Sequence, residues 1–523
     1  MALVTIDGQT FEVPDGENVI QAASRIGIQI PHYCYHPGLP IDGNCRMCLV
    51  EVQGPRGFAP QIACNTILRT TRDQAGSELP AAVVKTDTPL VREMRQSVME
   101  FLLLNHPIDC PICDQAGECG LQDYYMTYGK YDRRSIFPKI EKQKALPIGP
   151  SVILDQERCI LCSRCVRFTT HVTKTDELAI AGRGDRSRIE IFPQEELGND
   201  YSVNVVDLCP VGALTSRDFR FKKRVWFLAS TPSICTGCAR GCNIFIDHSE
   251  NMIYRYRPRY HPEVNQWWLC DRGRMTYRRN NAGRLVTPRL AGQITTWTSA
   301  LETMVTALKT TGKKLALLVG PDASLETQFL ARELAIALAA PLWGLSWQPP
   351  GKEDDFLMRA DQFPNRQGWE LLRIDTDESA FRAALPELEL LVAIGLELPP
   401  EVAPKQLLVL ATHDDEMVAR SAVALPVAMP AEQLATYCQF QGRIQQAKPA
   451  FPPPGAARPT YEVLALLGQA LGHPLPDTPE IIWQLLGPAL GLTEAAFPEF
   501  PPAGIMVKLA QTNPASRKKV GGV

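Results

Sequence analysis

No stretch of this sequence stays apolar long enough to cross a bilayer. A spanning helix needs about 18 or more consecutive apolar residues. The richest runs, Leu315–Val319 and Leu390–Leu396, have the length of buried strands. Charge of one sign is also missing. The formal net charge is −3 over 523 residues, which gives no reason to expect nucleic acid or an anionic membrane as the main partner. The opening residues, MALVTIDGQTFEV, alternate like a strand and lack the charged-then-apolar pattern of a secretory signal, so the chain is expected to be cytoplasmic. There is no G-x-x-x-x-G-K-S/T loop and no G-x-G-x-x-G after a strand. Gly182-Arg183-Gly184 reads as a turn. No catalytic acid–base pair or activated nucleophile stands out. Cysteine is nearly absent from the second half, where only Cys438 lies beyond Cys270.

The other fifteen of the sixteen cysteines are crowded between Cys34 and Cys270. A disulfide framework of this density belongs to small secreted domains. Close Cys-x-x-Cys repeats suit metal ligation instead, and four groups separate by spacing.

The first is Cys34, Cys45, Cys48 and Cys64, a C-x10-C-x2-C-x15-C pattern. VTIDGQTFEV before it reads as two strands joined at Asp7-Gly8. VIQAASRIGI reads as a helix, with apolar positions at Val19, Ala22, Ala23 and Ile26. CLVEV, after it, reads as a strand. Strand, turn, strand, helix and cysteine loop is how small two-iron ferredoxins begin. In such a loop backbone N–H groups point at the sulfurs, and Gly38 and Gly43 would let the backbone come close. His32 and His36 flank Cys34, so a Rieske-type His2Cys2 site is an alternative, although four cysteines are at hand.

The second group is His106, Cys110, Cys113 and Cys119, an H-x3-C-x2-C-x5-C pattern. VREMRQSVMEFLLLNH reads as an amphipathic helix ending near His106, where Pro107 disfavours helical geometry. His106 is either the fourth ligand of a three-cysteine site or a helix-terminal histidine that satisfies carbonyls. Zinc would also accept Cys3His.

The third group is Cys159, Cys162, Cys165 and the distant Cys209-Pro210. In bacterial two-cluster ferredoxins the run is C-x2-C-x2-C-x3-C-P, with the fourth cysteine serving the other cluster. Here Thr169 and Thr170 fall where that cysteine would be, so the pseudo-repeat has kept one cluster. The fourth group is Cys235, Cys238, Cys242 and Cys270. CTGCARGCNI and WLCDRGR resemble the four-iron segment that heads molybdopterin oxidoreductases. A structural zinc ribbon is the alternative there.

Taken in this order, PHYCYHPGLPIDGNCRMCLVEV, NHPIDCPICDQAGECGLQD and RCILCSRCVRF with DLCPVGALTS resemble the large iron–sulfur subunit of proton-pumping NADH–quinone oxidoreductase, respiratory complex I, through about Arg279. The resemblance implies a two-iron cluster, [2Fe-2S], on the first group and [4Fe-4S] clusters on the other three, with His106 a ligand. The fourth group occurs mainly in bacterial members of that family. The resemblance further implies an electron-transfer role. Electrons would enter from a flavin-bearing, NADH-binding subunit and leave toward a downstream cluster-bearing subunit near quinone. Those subunits and others of the peripheral arm would be the partners. The chain would sit on the cytoplasmic side of a bacterial inner membrane, without a direct membrane span and without nucleic acid.

Beyond Arg279, KKLALLVGPDASLETQFLARELAIALAA reads strand, glycine turn and long helix. ELELLVAIGLELPP and QLLVLATHDDEM read as buried strands, so a parallel α/β sheet is expected. This half resembles a truncated molybdopterin-oxidoreductase domain. About 240 residues is too little for the several domains that enclose such a cofactor, so no molybdopterin is expected. CQFQGRIQQ departs from the family's usual run at Cys438 and Gln441, and Cys438 reads as a core thiol. PAFPPPGAARP reads as a stiff linker or surface loop.

The fold expected is α+β and multidomain. Residues 1–80 form a two-iron ferredoxin-like domain of β-grasp type, and 81–140 the His/Cys3 four-iron domain. Residues 141–225 form a four-iron ferredoxin-like domain and 226–282 the molybdopterin-oxidoreductase-type four-iron segment. A cofactor-free truncated domain spans 283–523. The electron-feeding part of a hydrogenase or formate dehydrogenase shares the first three groups, but it would need a further catalytic cysteine set or a much longer C-terminal region. A zinc-binding scaffold is the rival from another class.

Overall fold

The computed structural model describes residues 1–72, 78–132, 134–492 and 500–509, and the chain divides into two units, Met1–Phe227 and Leu228–Val523. The end of the last expected domain, 510–523, lies outside the described residues.

The first unit begins with the expected hairpin. Asp7 and Gly8 take φ of 46° and 83°, as a two-residue turn between twisted strands requires. Ala2–Ile6 pairs antiparallel with Gln9–Val13, and its alternate side chains Ala2, Val4 and Ile6 are buried. Ala2–Ile6 also pairs in parallel with Ala82–Lys85. The five-stranded sheet runs Gln9–Val13, Ala2–Ile6, Ala82–Lys85, Leu49–Gly54, Gly57–Ile62, a β-grasp arrangement. The expected helix is Val19–Arg25. Asn18 starts it with a capping box: its side chain accepts from Gln21 N and its own N–H donates to the Gln21 side chain, both at 3.0 Å. The first cysteine loop runs from this helix to the strand Leu49–Gly54.

A second helix, Pro89–Asn105, starts at the cap Thr88 with Pro89 in its first turn and stops at His106. Helix Gly120–Tyr128 packs against it. A small antiparallel sheet, Leu214–Ser216, Val152–Leu154 and Leu146–Pro147, frames the third group. Gly182 and Gly184, at φ 73° and 60°, make the expected turn.

The second unit opens with the antiparallel sheet Ala229–Ile234, Asn243–Ser249, Met252–Pro258. Next comes a seven-stranded sheet whose strands Leu342–Gly344, Leu315–Val319, Leu390–Ile394, Gln406–Ala411 and Val423–Pro426 are neighbours in that order and all parallel. Leu315–Val319 and Leu390–Ile394 are buried along their whole length, because apolar layers cover both faces. Leu315, Leu317 and Val319 enter one core, and Ala316 and Leu318 the other. Cys438 is a core thiol beside Ile444 in the first of these. Pro449–Pro459 is a surface loop pinned to the body: Phe451 is buried against His248, with ring centroids 5.6 Å apart.

Candidate metal centres

The first group sits on a loop whose geometry serves its sulfurs. The backbone N–H groups of Tyr33 and Cys34 donate to Cys45 Sγ at 3.5 and 3.4 Å. Gly43 and Arg46 take left-handed φ of 70° and 58°, turning the chain between Cys34 and Cys48. A Cβ on Gly43 would lie 3.0 Å from Ile62 Cδ1. Gly38 does other work than expected: its N–H donates to His36 Nδ1 at 3.1 Å. His32 Nδ1 is engaged with Ile30 O at 2.8 Å. Burial pushes both imidazoles down, that of His36 to about 3, so both rings are neutral. The four thiols touch in a chain. Those of Cys45 and Cys64 hydrogen-bond to Cys34 and hold it far below the ordinary thiol range, and Cys64 also reaches Cys48.

In the second group His106 ends its helix, and its N–H donates to Leu102 O at 3.3 Å. The helix carbonyls that a terminal histidine would satisfy are occupied by Lys139, whose Nζ reaches Leu103 O and, at 3.3 Å, Leu104 O. Asn105 Oδ1 accepts from Ile140 N. His106 Nδ1 is buried without a hydrogen-bond partner, although the ring also meets the Arg158 backbone, and burial pushes the ring down to about 4. A buried, neutral, unpartnered imidazole nitrogen is what a metal bond satisfies. Cys110 lies on a short 3-10 turn, and Cys119 immediately precedes helix Gly120–Tyr128. Cys113 and Cys119 are buried.

Cys159, Cys162, Cys165 and Cys209 all line one small cavity of about 20 Å³. Its other walls include Leu154, Ile189, Val211 and Leu214. Leu161 and Ser163 both take left-handed φ, 53° and 61°. That conformation costs a non-glycine residue about 1 kcal/mol or more and persists where the surroundings require it. Here it turns successive thiols to the same side. Thr169 stands where a ferredoxin's fourth cysteine would fall. It is buried, and its hydroxyl donates to Val166 O at 2.9 Å. Burial pushes the Cys159 thiol up to about 12 and those of Cys162 and Cys209 to about 11. Thiolates at such depth need a cation as partner.

The fourth group lies in the second unit, on the hairpin Ala229–Ile234/Asn243–Ser249 and at the head of helix Asp271–Met275. Cys235 N donates to Cys242 O at 2.7 Å, which closes the loop. Gly237 N and Gly273 N donate to Cys235 Sγ and Cys270 Sγ at 3.5 and 3.3 Å. A Cβ on Gly273 would lie 3.0 and 3.1 Å from these two sulfurs, so only glycine passes freely between them. All four thiols are buried. A separate cavity of about 250 Å³ opens at the carboxyl ends of the parallel strands, lined by Asp322, Gly395, Thr412 and Tyr437 among others.

Within the first unit members of three groups meet at one apolar core, while Cys48 and Cys64 of the first group are buried in the core of the five-stranded sheet. Cys34, Cys119 and Cys162 are buried in the shared core with Tyr33, Met47, Met99 and Val211, and Cys45, Cys159 and Cys209 pack against it. The third group is joined to the second by the Cys209-Pro210 loop. Gly120 N donates to Pro210 O at 3.0 Å, and a Cβ on Gly212 would stand 2.3 Å from Cys113 Sγ. The third is joined to the first by two arginines on helix Arg164–Phe168. Arg164 reaches Tyr35 O and Leu208 O. Arg167 reaches Cys34 O, Cys162 O and Pro40 O. Cysteine spacing alone does not single out Arg164, Arg167 or Gly212. The glycine lies in plain view in the Cys-Pro-x-Gly run, but local spacing does not say what it faces.

Among the described residues no set of three or more His, Cys, Asp or Glu side chains is gathered closely enough to hold one metal ion.

Five family models match the chain. Residues 2–71 match a 2Fe-2S iron-sulfur cluster binding domain, and 95–134 the NADH-ubiquinone oxidoreductase-G iron-sulfur binding region. Residues 149–215 match the ferredoxin-like domain of NADH-quinone oxidoreductase subunit 3. Residues 228–282 match the molybdopterin oxidoreductase Fe4S4 domain and 404–470 the molybdopterin oxidoreductase model. The NADH-quinone oxidoreductase G subunit of Rickettsia felis is 38% identical over 348 residues, 64% of this chain and 49% of that protein. The NADH-ubiquinone oxidoreductase 75 kDa subunit of Reclinomonas americana is 39% identical over 374 residues, 69% of this chain and 52% of that protein. The chain spans about half the length of these relatives. Among solved structures, an NAD+-reducing [NiFe]-hydrogenase in the H2-reduced state aligns with 43% of this chain and 91% of its own, at 28% identity and a TM-score of 0.37.

Proposed function

We propose, from the premise that this chain belongs to the family of large iron–sulfur subunits of NADH-quinone oxidoreductases, that it is an electron-carrying subunit of such a complex. It would accept single electrons from a flavin-bearing, NADH-binding subunit and pass them toward a downstream cluster-bearing subunit near quinone. Cys34, Cys45, Cys48 and Cys64 would hold a [2Fe-2S] cluster. [4Fe-4S] clusters would be held by His106 with Cys110, Cys113 and Cys119, by Cys159, Cys162, Cys165 and Cys209, and by Cys235, Cys238, Cys242 and Cys270. When bound, such clusters supply one-electron storage with little rearrangement. The second unit is read as carrying no molybdopterin.

One observation supports this reading: one cysteine from each of three groups, Cys34, Cys119 and Cys162, is buried in a single apolar core. Apolar side chains there keep the local dielectric low, and the N–H groups of Tyr33, Cys34 and Leu161 point at sulfurs, favouring the more negative reduced state. No helix among the described residues is long and apolar enough to cross a membrane. The subunit is read as peripheral, on the cytoplasmic side of a bacterial inner membrane.

The test replaces one buried third-group ligand in the assembled complex. Cys162→Ala should abolish NADH–quinone reduction while NADH–ferricyanide reduction, which needs only the flavin end, continues. Quinone reduction at the normal rate in a complex lacking that thiol would overturn the reading.

A further inference from the structure

Arg164 is placed between two ligand sets rather than within one. It lies in the sequence between Cys162 and Cys165, on helix Arg164–Phe168. One arm of its guanidinium donates to Leu208 O, next to Cys209, at 3.1 Å, and the other reaches Tyr35 O, next to Cys34. Its Nε is buried without a partner. Burial disfavours its charge, and negative charge on Cys162 and Cys209 on one side and on Cys34 and Cys45 on the other would favour it. Both of its named hydrogen bonds end on backbone carbonyls, so the cation is held in place without a carboxylate partner in those contacts. Arg167, one turn on, reaches Cys34 O and Cys162 O, donates from Nε to Ser163 Oγ at 3.0 Å, and locks the same junction. Ser163 in turn donates to Asp42, and Asn44 donates to Leu161 O at 3.2 Å.

Adding an electron to either ligand set adds one negative charge beside this cation. In a partly dehydrated junction that charge is weakly screened. We propose that Arg164 is a shared counter-charge which raises the reduction potentials of the first-group and third-group clusters together. The inference rests on the cluster reading proposed above. Its consequence is that perturbing one side chain moves two centres in the same direction, whereas a residue that merely packs one loop would disturb one.

The test is a redox titration of the iron-loaded full chain followed by low-temperature EPR, comparing Arg164→Gln with Arg164→Lys. The Gln variant should make reduction of both clusters at least tenfold less favourable, a downward shift of about 59 mV for each one-electron step. The Lys variant, which keeps the charge but loses the fork, should recover more than half of each shift. The second-group cluster should move by less than threefold. Unchanged potentials, a shift confined to one cluster, or a Lys variant as displaced as Gln would overturn the inference. Asn44→Asp gives up the donor to Leu161 O and adds an anion on the exposed side of the same junction, and should lower both potentials by a smaller amount. If Arg164→Gln loses its iron, an Asn44→Asp chain with both potentials unmoved would overturn the inference. Wild-type chain without iron in these two groups would instead overturn the cluster reading itself.

Discussion

Replacing Gly212 with alanine puts a methyl group where the Cys113 sulfur already stands. The added Cβ would lie 2.3 Å from Cys113 Sγ and 3.1 Å from Gln115 Cβ. An ordinary contact is about 3.5–4.0 Å, so loop or thiol must yield by more than about 1 Å. The loop is tied on both sides of Gly212: Pro210 O accepts from Gly120 N at 3.0 Å, and Ala213 O accepts from Asp155 N at 2.7 Å. The displacement therefore falls on Cys113. Metal ligation tolerates about 0.2 Å of misplacement, and overpacking alone costs about 1–3 kcal/mol. Gly212→Ala should thus lose the second-group cluster, about four irons per chain, while the first and third groups keep theirs. Iron content and low-temperature EPR of the anaerobically purified chain check this. A variant with the full iron complement and unaltered spectra would show that Gly212 is not packed against the second group and would refute the reasoning.

His106→Cys should keep the second-group cluster and lower its potential, because a thiolate carries one more negative charge than an imidazole. An unchanged spectrum and potential in a redox titration would make His106 a bystander. Alanine at Cys235, Cys238, Cys242 and Cys270 should weaken assembly or stability, since ligation of distant thiolates is itself folding free energy, yet assembled complex should reduce quinone at near-normal rates per flavin. A large loss of quinone reduction with ferricyanide reduction intact would put that cluster on the main path.

What could be read from the chain was what local spacing encodes. Asp7-Gly8 marked the turn, Asn105-His106-Pro107 marked a helix end, and the apolar runs Leu315–Val319 and Leu390–Ile394 marked strands buried on both faces. Cysteine spacing separated four groups because each group is short and nearly contiguous in sequence, with one distant member in two of the four. The junctions were not readable. Arg164 and Tyr35 are 129 residues apart, and Arg167 and Cys34 are 133 apart, so only the folded chain shows that the first and third groups meet. The role of Lys139 was hidden for the same reason. Its hold on the Leu103 and Leu104 carbonyls frees His106 from helix capping, and it lies 36 residues from the first of them. The partner of the Gly38 N–H, the His36 ring, was likewise not legible from spacing.

Metal analysis of the anaerobically purified chain tests the central claim most directly. Fifteen cysteines and His106 form four sets of four, one for a two-iron and three for four-iron clusters, so the account predicts about 14 irons per chain and essentially no zinc. Near-zero iron with about four zincs, one for each tetrahedral set, would contradict it.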